Sequence, residues 1–271
     1  MSFVRSTWHF PGAIEVVEYY TANHRPPGEK RAAKCKPTPE QVFLANLRHR
    51  EDMCRRKLRA NFKSDDLYLT LTFRKEDRPG DMEEAKAAFR KWTARLRRIY
   101  KKAGAELKWI RNIELGTRGA RHIHVVINRI DNAELAAAKA WEHGHVNIRH
   151  CYEEGEFRKL AAYLTKCPQT DNSLKESHYW TSRGLPVPDP DVKVIRYRAF
   201  AKPRPPKGWI LEEGSFWEGV NEVTGLPCRK YAFLRIGGRK PARKKKPQRK
   251  KAAKGKKGRI NELRGNAGAD P

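Results

Sequence analysis

Alternating apolar and polar residues predict three strands in the middle of the chain, at residues 67–73, 107–115 and 121–129. In the first, leucines and a phenylalanine alternate with Tyr68, Thr70 and Thr72. Successive side chains of a strand point to opposite faces, so the apolar set should pack inward and the polar set should line the other face. Residues 116–119 begin and end with glycine and predict a hairpin loop between the second and third strands.

Helical periodicity separates and follows these strands. Residues 82–102 carry an apolar stripe spaced by four and three residues, made of Ala85, Phe89, Trp92, Leu96 and Ile99. Shorter helices are predicted at 132–141 and 156–166, with a strand at 145–150. The order strand, helix, strand, strand, helix, strand predicts an α+β protein with a ferredoxin-like antiparallel sheet and helices on one face. Many functions share this fold, so it does not decide between them.

The flanking regions predict four parts: an N-terminal extension at 1–64, the ferredoxin-like domain at 65–170, a C-terminal extension at 171–238 and a basic tail at 239–271. The first holds a strand-like segment at 13–19 and a helix that starts at Thr38 and Pro39. The third holds strand-like pieces at 192–198 and 230–236. Residues 239–259 contain 13 Lys and Arg and no acid, which is typical of a disordered segment.

The charge balance points to a polyanionic partner. The 59 Lys and Arg outnumber the 31 Asp and Glu, which gives a net charge of +28. Removing the 13 charges of residues 239–259 still leaves +15, so the rest of the chain is basic too. Nucleic acid is the partner that such a charge favours. No apolar run approaches the roughly 20 residues that span a bilayer, and no signal peptide is evident, which favours a cytoplasmic protein. The five scattered cysteines form no Cys-x-x-Cys pair.

Two histidines flank an isoleucine at the start of the third central strand. His122 and His124 share a face of that strand, where two imidazoles can bind one metal ion. Alone, such a pair is more often a solvated strand face. Glu114 lies at the end of the preceding strand, and a hairpin loop of suitable length puts it on the same face. A carboxylate and two neutral imidazoles make a three-ligand metal site with open positions.

The helix predicted at 156–166 carries Tyr163 and Lys166, which share a face because they are three residues apart. Tyrosine is ordinarily a poor nucleophile, with a pKa of about 10, but a nearby ammonium or metal ion favours its phenolate. Attack of a tyrosine on a phosphodiester leaves a covalent phosphotyrosine link that conserves the bond for rejoining. A Tyr-x-x-Lys pair is common in basic helices, so its meaning depends on the other motifs.

Taken in order, the strand at 69–73, Glu114, the His122-Ile123-His124 motif and the Tyr163 helix resemble the motifs of the HUH endonucleases, the rolling-circle replication initiators. The similarity is to the filamentous-phage and Gram-positive plasmid branch and extends over residues 10–235. It implies an HUH nicking domain in which His122, His124 and Glu114 bind Mg²⁺ or Mn²⁺. It also implies that Tyr163 is the single catalytic tyrosine and that Lys166 stabilises charge near the phosphate or the phenolate.

The resemblance implies a metal-dependent DNA endonuclease and nucleotidyltransferase. Such a replication initiator would nick single-stranded or hairpin origin DNA, form a 5′-phosphotyrosine link and free a 3′-OH for rolling-circle replication. The second tyrosine of two-tyrosine relatives is absent from the helix. The chain also lacks a Gly-x-x-x-x-Gly-Lys-Ser/Thr loop, so a host helicase and a host polymerase would be its partners.

Several alternatives remain open. An HUH transposase or relaxase acting on mobile DNA would use the same chemistry. A non-catalytic nucleic-acid-binding protein would need aromatic residues on the open sheet face, where this sequence instead predicts histidines and threonines. An iron oxygenase with two histidines and a carboxylate would not need the excess of positive charge. The second His-x-His, His143-Gly144-His145, follows a helix end and is interpreted as a turn, and it is the fallback metal site.

Overall fold

A computed structural model describes residues 2–21, 36–116, 119–151, 157–165, 179–195, 200–221 and 223–236. Its central sheet combines β3 (Leu67–Thr72), β4 (Trp109–Leu115), β5 (Arg121–Ile127), β6 (Val146–His150) and β7 (Tyr179–Thr181). The strand order is β6-β3-β5-β4-β7, and every neighbouring pair is antiparallel. The first four strands have the order of a ferredoxin-like fold, so the predicted fold class is confirmed.

Two helices cover one face of this sheet, α2 (Met82–Lys102) and α3 (Ala133–Ala140). The predicted bounds of α2 are confirmed, and the Asp81 side chain caps its N-terminus by accepting from the Glu84 N–H at 2.8 Å. One member of the predicted apolar stripe is wrong. Ile99 is exposed and Tyr100 is buried in its place, with its hydroxyl donating to the Asn128 carbonyl. The apolar residues of β3 and β5 pack against α2 and α3 in the largest core cluster.

The opposite face is partly covered as well, by α1 (Pro39–Asn61) and α4 (Arg158–Thr165). The predicted start of α1 is confirmed: Thr38 is the N-cap, Pro39 is in the first turn, and Gln41 completes a capping box. The two helices contact each other and pack on β4 and β5 through a second apolar cluster. It consists of Cys54, Leu58, Phe62, Ile110, Val126, Cys151, Phe157, Leu160, Ala161, Leu164 and Leu185. Because this cluster covers only part of the face, the polar part remains accessible beside α4.

A second antiparallel sheet joins the two predicted extensions. Its strands are β1 (Ser2–His9), β2 (Ala13–Thr21), β8 (Asp191–Ile195), β9 (Trp209–Leu211), β10 (Trp217–Val220) and β11 (Pro227–Arg235). The order is β10-β11-β2-β1-β8, and β9 pairs with β11. Arginines of α1 connect this sheet to the rest of the fold, since Arg56 lies over the Trp8 ring at 3.5 Å from its centroid. The sequence predicted strands in both extensions but not their pairing.

Some predicted features fall outside the described residues, namely the basic tail at 239–271, Lys166, Cys35 and Cys167. Among the cysteines that are described, Cys54, Cys151 and Cys228 are buried free thiols. None of the helices in the described part of the chain is both long enough and apolar enough to cross a membrane.

Candidate active site

Strand pairing brings the predicted metal ligands to one face. Glu114 on β4 lies directly across from His122 on β5, and His122 in turn lies across from Thr72 on β3. His124 is two residues further along β5 and therefore shares the face. The face is the one on which α4 packs. The hairpin between β4 and β5 thus gives the register that the sequence analysis required.

Tyr163 reaches this face from α4. Its hydroxyl lies 3.1 Å from Glu114 Oε2 and 3.1 Å from His124 Nε2, and those two atoms are 3.2 Å apart. The three side chains therefore meet at one point, although their residues come from three different elements. Tyr163 is 37% exposed, while His124 is 8% exposed. A nucleophile that solvent can reach is thus held against two buried or half-buried groups that can bind a metal ion.

Two hydroxyl groups behind His124 fix the orientation of its ring. His124 Nδ1 lies 3.0 Å from the Tyr68 hydroxyl and 3.2 Å from the Thr70 hydroxyl. If Nδ1 carries the proton, either hydroxyl oxygen can accept it, and the lone pair of Nε2 then points toward Glu114 and Tyr163. A second hydrogen bond of this kind is typical of histidines that bind metals, because it selects the tautomer.

His122 is held in its position by a glycine. A Cβ atom on Gly116 would lie 2.9 Å from His122 Nε2 and 3.1 Å from the Ala120 carbonyl oxygen, so the ring occupies space that only glycine leaves free. His122 Nδ1 is buried and has no hydrogen-bond partner among the described residues. Burial and the neighbouring His124 lower the pKa of His122, and Glu114 only partly opposes them. The neutral form, which is the form that binds metals, is therefore favoured.

Tyr163 is strongly protonated in this arrangement. Burial raises its pKa to about 12, and the charge of Glu114 and the hydrogen bond to it act in the same direction. A carboxylate that accepts the phenol proton stabilises the neutral phenol, so Glu114 alone cannot activate the nucleophile. Activation requires a positive charge near the phenol oxygen.

A cleft of about 690 Å³ opens beside these residues. Its lining includes Tyr68, Thr70, Thr72, His124, His145, Asn147, Arg149, Lys159, Leu160 and Tyr163. Lys159 precedes Tyr163 by one helical turn, and Arg149 lies across from Tyr68 on the edge strand β6. The cleft therefore carries two cations at the side of the tyrosine where a phosphate group could approach.

The donor set fits a divalent metal ion in kind. Among the described residues, no three His, Cys, Asp or Glu side chains are already close enough together to hold one. Glu114 and His124 already approach each other, however, and His122 faces Glu114 from the paired strand with a buried ring nitrogen that lacks a described partner. One carboxylate and two imidazoles on one sheet face are a donor set that Mn²⁺ accepts readily and Mg²⁺ accepts less readily.

The second His-x-His motif has a different environment. Gly144 packs so tightly on β3 that an added Cβ would lie 2.2 Å from the Thr72 carbonyl oxygen. His143 packs on the rings of Phe73 and Trp141, and the His145 carbonyl accepts from the Thr72 N–H at 2.9 Å. The His145 side chain lines the cleft, but the two histidines do not share a site with a carboxylate in the described structure.

Two members of the site were not singled out from the sequence. Tyr68 was placed on the polar face of β3, but its contact with His124 depends on the pairing of β3 with β5. Asn112 is fully buried directly across from His124, and both polar atoms of its amide lack hydrogen-bond partners among the described residues. Its spacing of two from Glu114 is the signal that could have identified it. An unpartnered amide beside the proposed ligands is a further group that could bind an oxygen or a water of a metal ion.

Comparison with known proteins adds one finding. Residues 66–168 match a family model for replication-associated proteins of the ORF2 type. Neither the curated proteins nor the solved structures contain a match to this chain. The matched segment runs from the start of β3 to just beyond α4 and includes His122, His124, Glu114 and Tyr163. The similarity supports a protein of a rolling-circle replication initiator family, which acts in DNA replication.

Proposed function

We propose that the protein is a metal-dependent HUH endonuclease that nicks single-stranded or hairpin origin DNA and initiates rolling-circle replication. One observation carries this proposal: the Tyr163 hydroxyl lies 3.1 Å from both Glu114 Oε2 and His124 Nε2 at the edge of an open cleft. A nucleophile placed against two metal-binding groups is the arrangement that phosphodiester cleavage through a covalent intermediate requires.

In the proposed reaction, the Tyr163 oxygen attacks the scissile phosphorus. A new bond joins the tyrosine oxygen to the 5′ phosphate, the bond from phosphorus to the 3′ oxygen breaks, and that oxygen leaves with a proton as a free 3′-OH. The phenol proton moves to a base or to solvent as attack proceeds. The phosphotyrosine bond conserves the energy of the broken bond, so a later 3′-OH can reverse the step and rejoin the strand.

His122, His124 and Glu114 would hold the metal ion, which is Mg²⁺ or Mn²⁺ in this proposal. When bound, the ion supplies Lewis-acid polarisation of the phosphate and a positive charge that favours the phenolate. Tyr68 and Thr70 hold the His124 ring in place, and Gly116 leaves room for the ring of His122. Lys159 and Arg149 bind the phosphates on either side of the nick. Lys166, which lies outside the described residues, remains proposed as a further cation near the phenolate.

A covalent adduct tests this function directly. The full chain is incubated with labelled single-stranded origin DNA and Mn²⁺, and a denaturing gel then separates free DNA from protein-linked DNA. Tyr163→Phe should bind the DNA normally but form no adduct, because it removes one oxygen and leaves the ring in place. Mass spectrometry of the wild-type adduct should locate the nucleotide on Tyr163.

Tyr68→Phe is the matched control, because Tyr68 is the other tyrosine of the cleft and its ring centroid lies 6.4 Å from that of Tyr163. This variant should still form the adduct, at a reduced rate because His124 loses one partner. A nucleotide on Tyr68, Tyr152 or Tyr179 would show that the nucleophile is wrongly assigned. DNA binding with no adduct in the wild-type protein would instead favour the non-catalytic alternative.

A further inference from the structure

A second groove lies on the opposite side of the central sheet from Tyr163. It runs between the outer stripe of α2 and the edge formed by β4 and β7, and encloses about 560 Å³. We call it the α2–β7 groove; it is lined by Glu83, Lys86, Phe89, Arg90, Thr93, Arg97, Trp109, Arg111 and Trp180. Arg111 lies directly across from Trp180 in the paired strands, so both point to the side of α2. Asn112 and Tyr179 point to the active-site side.

The groove is strongly positive. Four of its lining side chains are cations, and in the described structure Glu83 is the single acid among them. That carboxylate is bound to Lys86 at 2.6 Å, so it neutralises the cation at one end of the groove. Arg90 and Arg97 are exposed, lie seven residues apart on one stripe of α2, and form no salt bridge with any described residue. The spacing of two turns places two guanidiniums along the groove at about 10 Å.

Arg111 brings a charge to the floor of the groove. It is 6% exposed and lies over the Phe89 ring, with its guanidinium carbon 5.2 Å from the ring centroid. Burial and the charge of Arg90 lower the pKa of Arg111 to about 10, and Glu83 only partly offsets them. An anion between two neighbouring guanidiniums relieves the repulsion between them, and its attraction is strong where water is scarce. The arrangement therefore favours a bound anionic group.

Trp180 forms the outer wall of the groove and is 57% exposed. An exposed tryptophan beside a row of arginines is the combination with which proteins bind single strands, where a base stacks on the ring and the arginines contact phosphates. A duplex offers no free base face, so it could use the arginines but not the tryptophan. The groove therefore favours a single strand over a duplex or a small anion.

From these observations we propose that the α2–β7 groove binds a segment of single-stranded DNA, with a base on Trp180 and phosphates on Arg90, Arg97 and Arg111. This inference rests on the proposed function and deepens it, since it gives the replication initiator a second contact with the strand on the far side of the sheet from the nick. Such a contact would hold DNA before and after cleavage without taking part in the chemistry.

The test measures binding of fluorescently labelled oligo-dT to the full chain at several salt concentrations, in the presence of EDTA. Arg90→Ala combined with Arg97→Ala should reduce the slope of log K against log salt by about 1.4, since each lost contact with a single strand contributes about 0.7. Lys91→Ala combined with Arg98→Ala is the control, because these cations have the same spacing on the same helix and do not line the groove. The control should change the slope by much less.

Trp180→Ala should weaken binding roughly five- to hundredfold, and Trp180→Phe should restore most of it, because phenylalanine also stacks. Equal losses in the two arginine pairs, or unchanged binding in Trp180→Ala, would overturn the proposal. Equal weakening of duplex and oligo-dT binding in the groove variants would mean general phosphate attraction and would overturn it too. Binding to oligo-dT in EDTA needs no nicking, so this result is independent of whether Tyr163 forms an adduct.

Discussion

Gly116, the first residue after β4, lies against the ring of His122. The alanine Cβ would lie 2.9 Å from His122 Nε2, so Gly116→Ala must displace the ring or the hairpin backbone. The variant should keep its fold, because Gly116 is half-exposed and at a strand end, but metal-dependent nicking should fall at least tenfold. Gly119→Ala is the control in the same hairpin, since an added Cβ there meets no atom within 4 Å; its positive φ of 71° makes it mildly destabilising. Equal nicking by the Gly116→Ala and Gly119→Ala variants would argue against His122 as a ligand.

His122 and His124 are the residues on which the metal site depends. His122→Ala combined with His124→Ala should abolish metal-dependent nicking and leave the circular dichroism spectrum unchanged, since both side chains lie on the polar face of β5. Direct Mn²⁺ binding, measured by titration calorimetry, should be lost together with nicking. The combined replacement of His143 and His145 by Ala is the comparison, and it should retain Mn²⁺ binding. Retained cleavage in the first variant would move the site to His143 and His145.

Single residues of the site were predictable where local alternation decides their direction. The alternation in 121–129 placed His122 and His124 on one face, and helical spacing placed Tyr163 opposite the packed face of α4. The contact between Tyr68 and His124, and the burial of Asn112, could not be predicted. Both depend on which strands pair and in which register, and register is set by the whole sheet rather than by any one strand.

At the scale of elements, α1 is held to the second sheet by charged groups. The Glu15 carboxylate on β2 accepts hydrogen bonds from Arg55, Arg56 and Arg59 of α1 at 3.0 to 3.1 Å. Arg59 also donates to Glu212, which follows β9, at 2.7 and 2.8 Å. The network is buried, and removing its central anion leaves three guanidiniums with too little negative charge among them. Glu15→Gln should therefore cost about 3–5 kcal/mol of unfolding free energy, measured by denaturant titration.

Acid should weaken the same network. Burial by itself raises the pKa of Glu15, but Arg55, Arg59 and Arg56 outweigh it, so the pKa is lowered overall. A carboxyl group with a lowered folded-state pKa stabilises the fold above its ordinary pKa, and that stability is lost as the pH falls below it. Denaturant unfolding from neutral pH down to about pH 3 should therefore show a steeper loss for the wild type than for Glu15→Gln. Glu76→Gln, which alters an exposed turn, should follow the wild-type curve.

Sequence periodicity predicted the elements better than their neighbours. The strands near residues 13–19, 192–198 and 230–236 were all expected, and the structure has β2, β8 and β11 there. Their union was not predicted, because β1 pairs with β8 across more than 180 residues, and no local pattern records such a partner. The position of α1 was hidden for the same reason: its arginines suggest a solvated surface, yet Arg56 and Arg59 are buried against the second sheet.

At the scale of the whole molecule, positive charge is distributed over the cleft, the α2–β7 groove and the C-terminal sequence. Residues 239–259 supply 13 of the 28 net charges, and the site residues all lie within the segment that matches the family model. The strength of general DNA binding and the chemistry of nicking should therefore depend on different parts of the chain. A truncation can separate the two.

Deleting residues 239–271 should weaken binding to single-stranded DNA and flatten its salt dependence, while nicking of a short origin oligonucleotide continues. Thirteen cations can contact many phosphates, and each contact with a single strand contributes about 0.7 to the slope of log K against log salt. Loss of four such contacts would reduce the slope by about 2.8. Deleting only residues 260–271, which carry one Arg, one Glu and one Asp, is the control and should leave the slope unchanged. An unchanged slope after the longer deletion would show that residues 239–259 do not contact DNA. Loss of nicking on a saturating short oligonucleotide would show that they contribute to the chemistry and not only to binding.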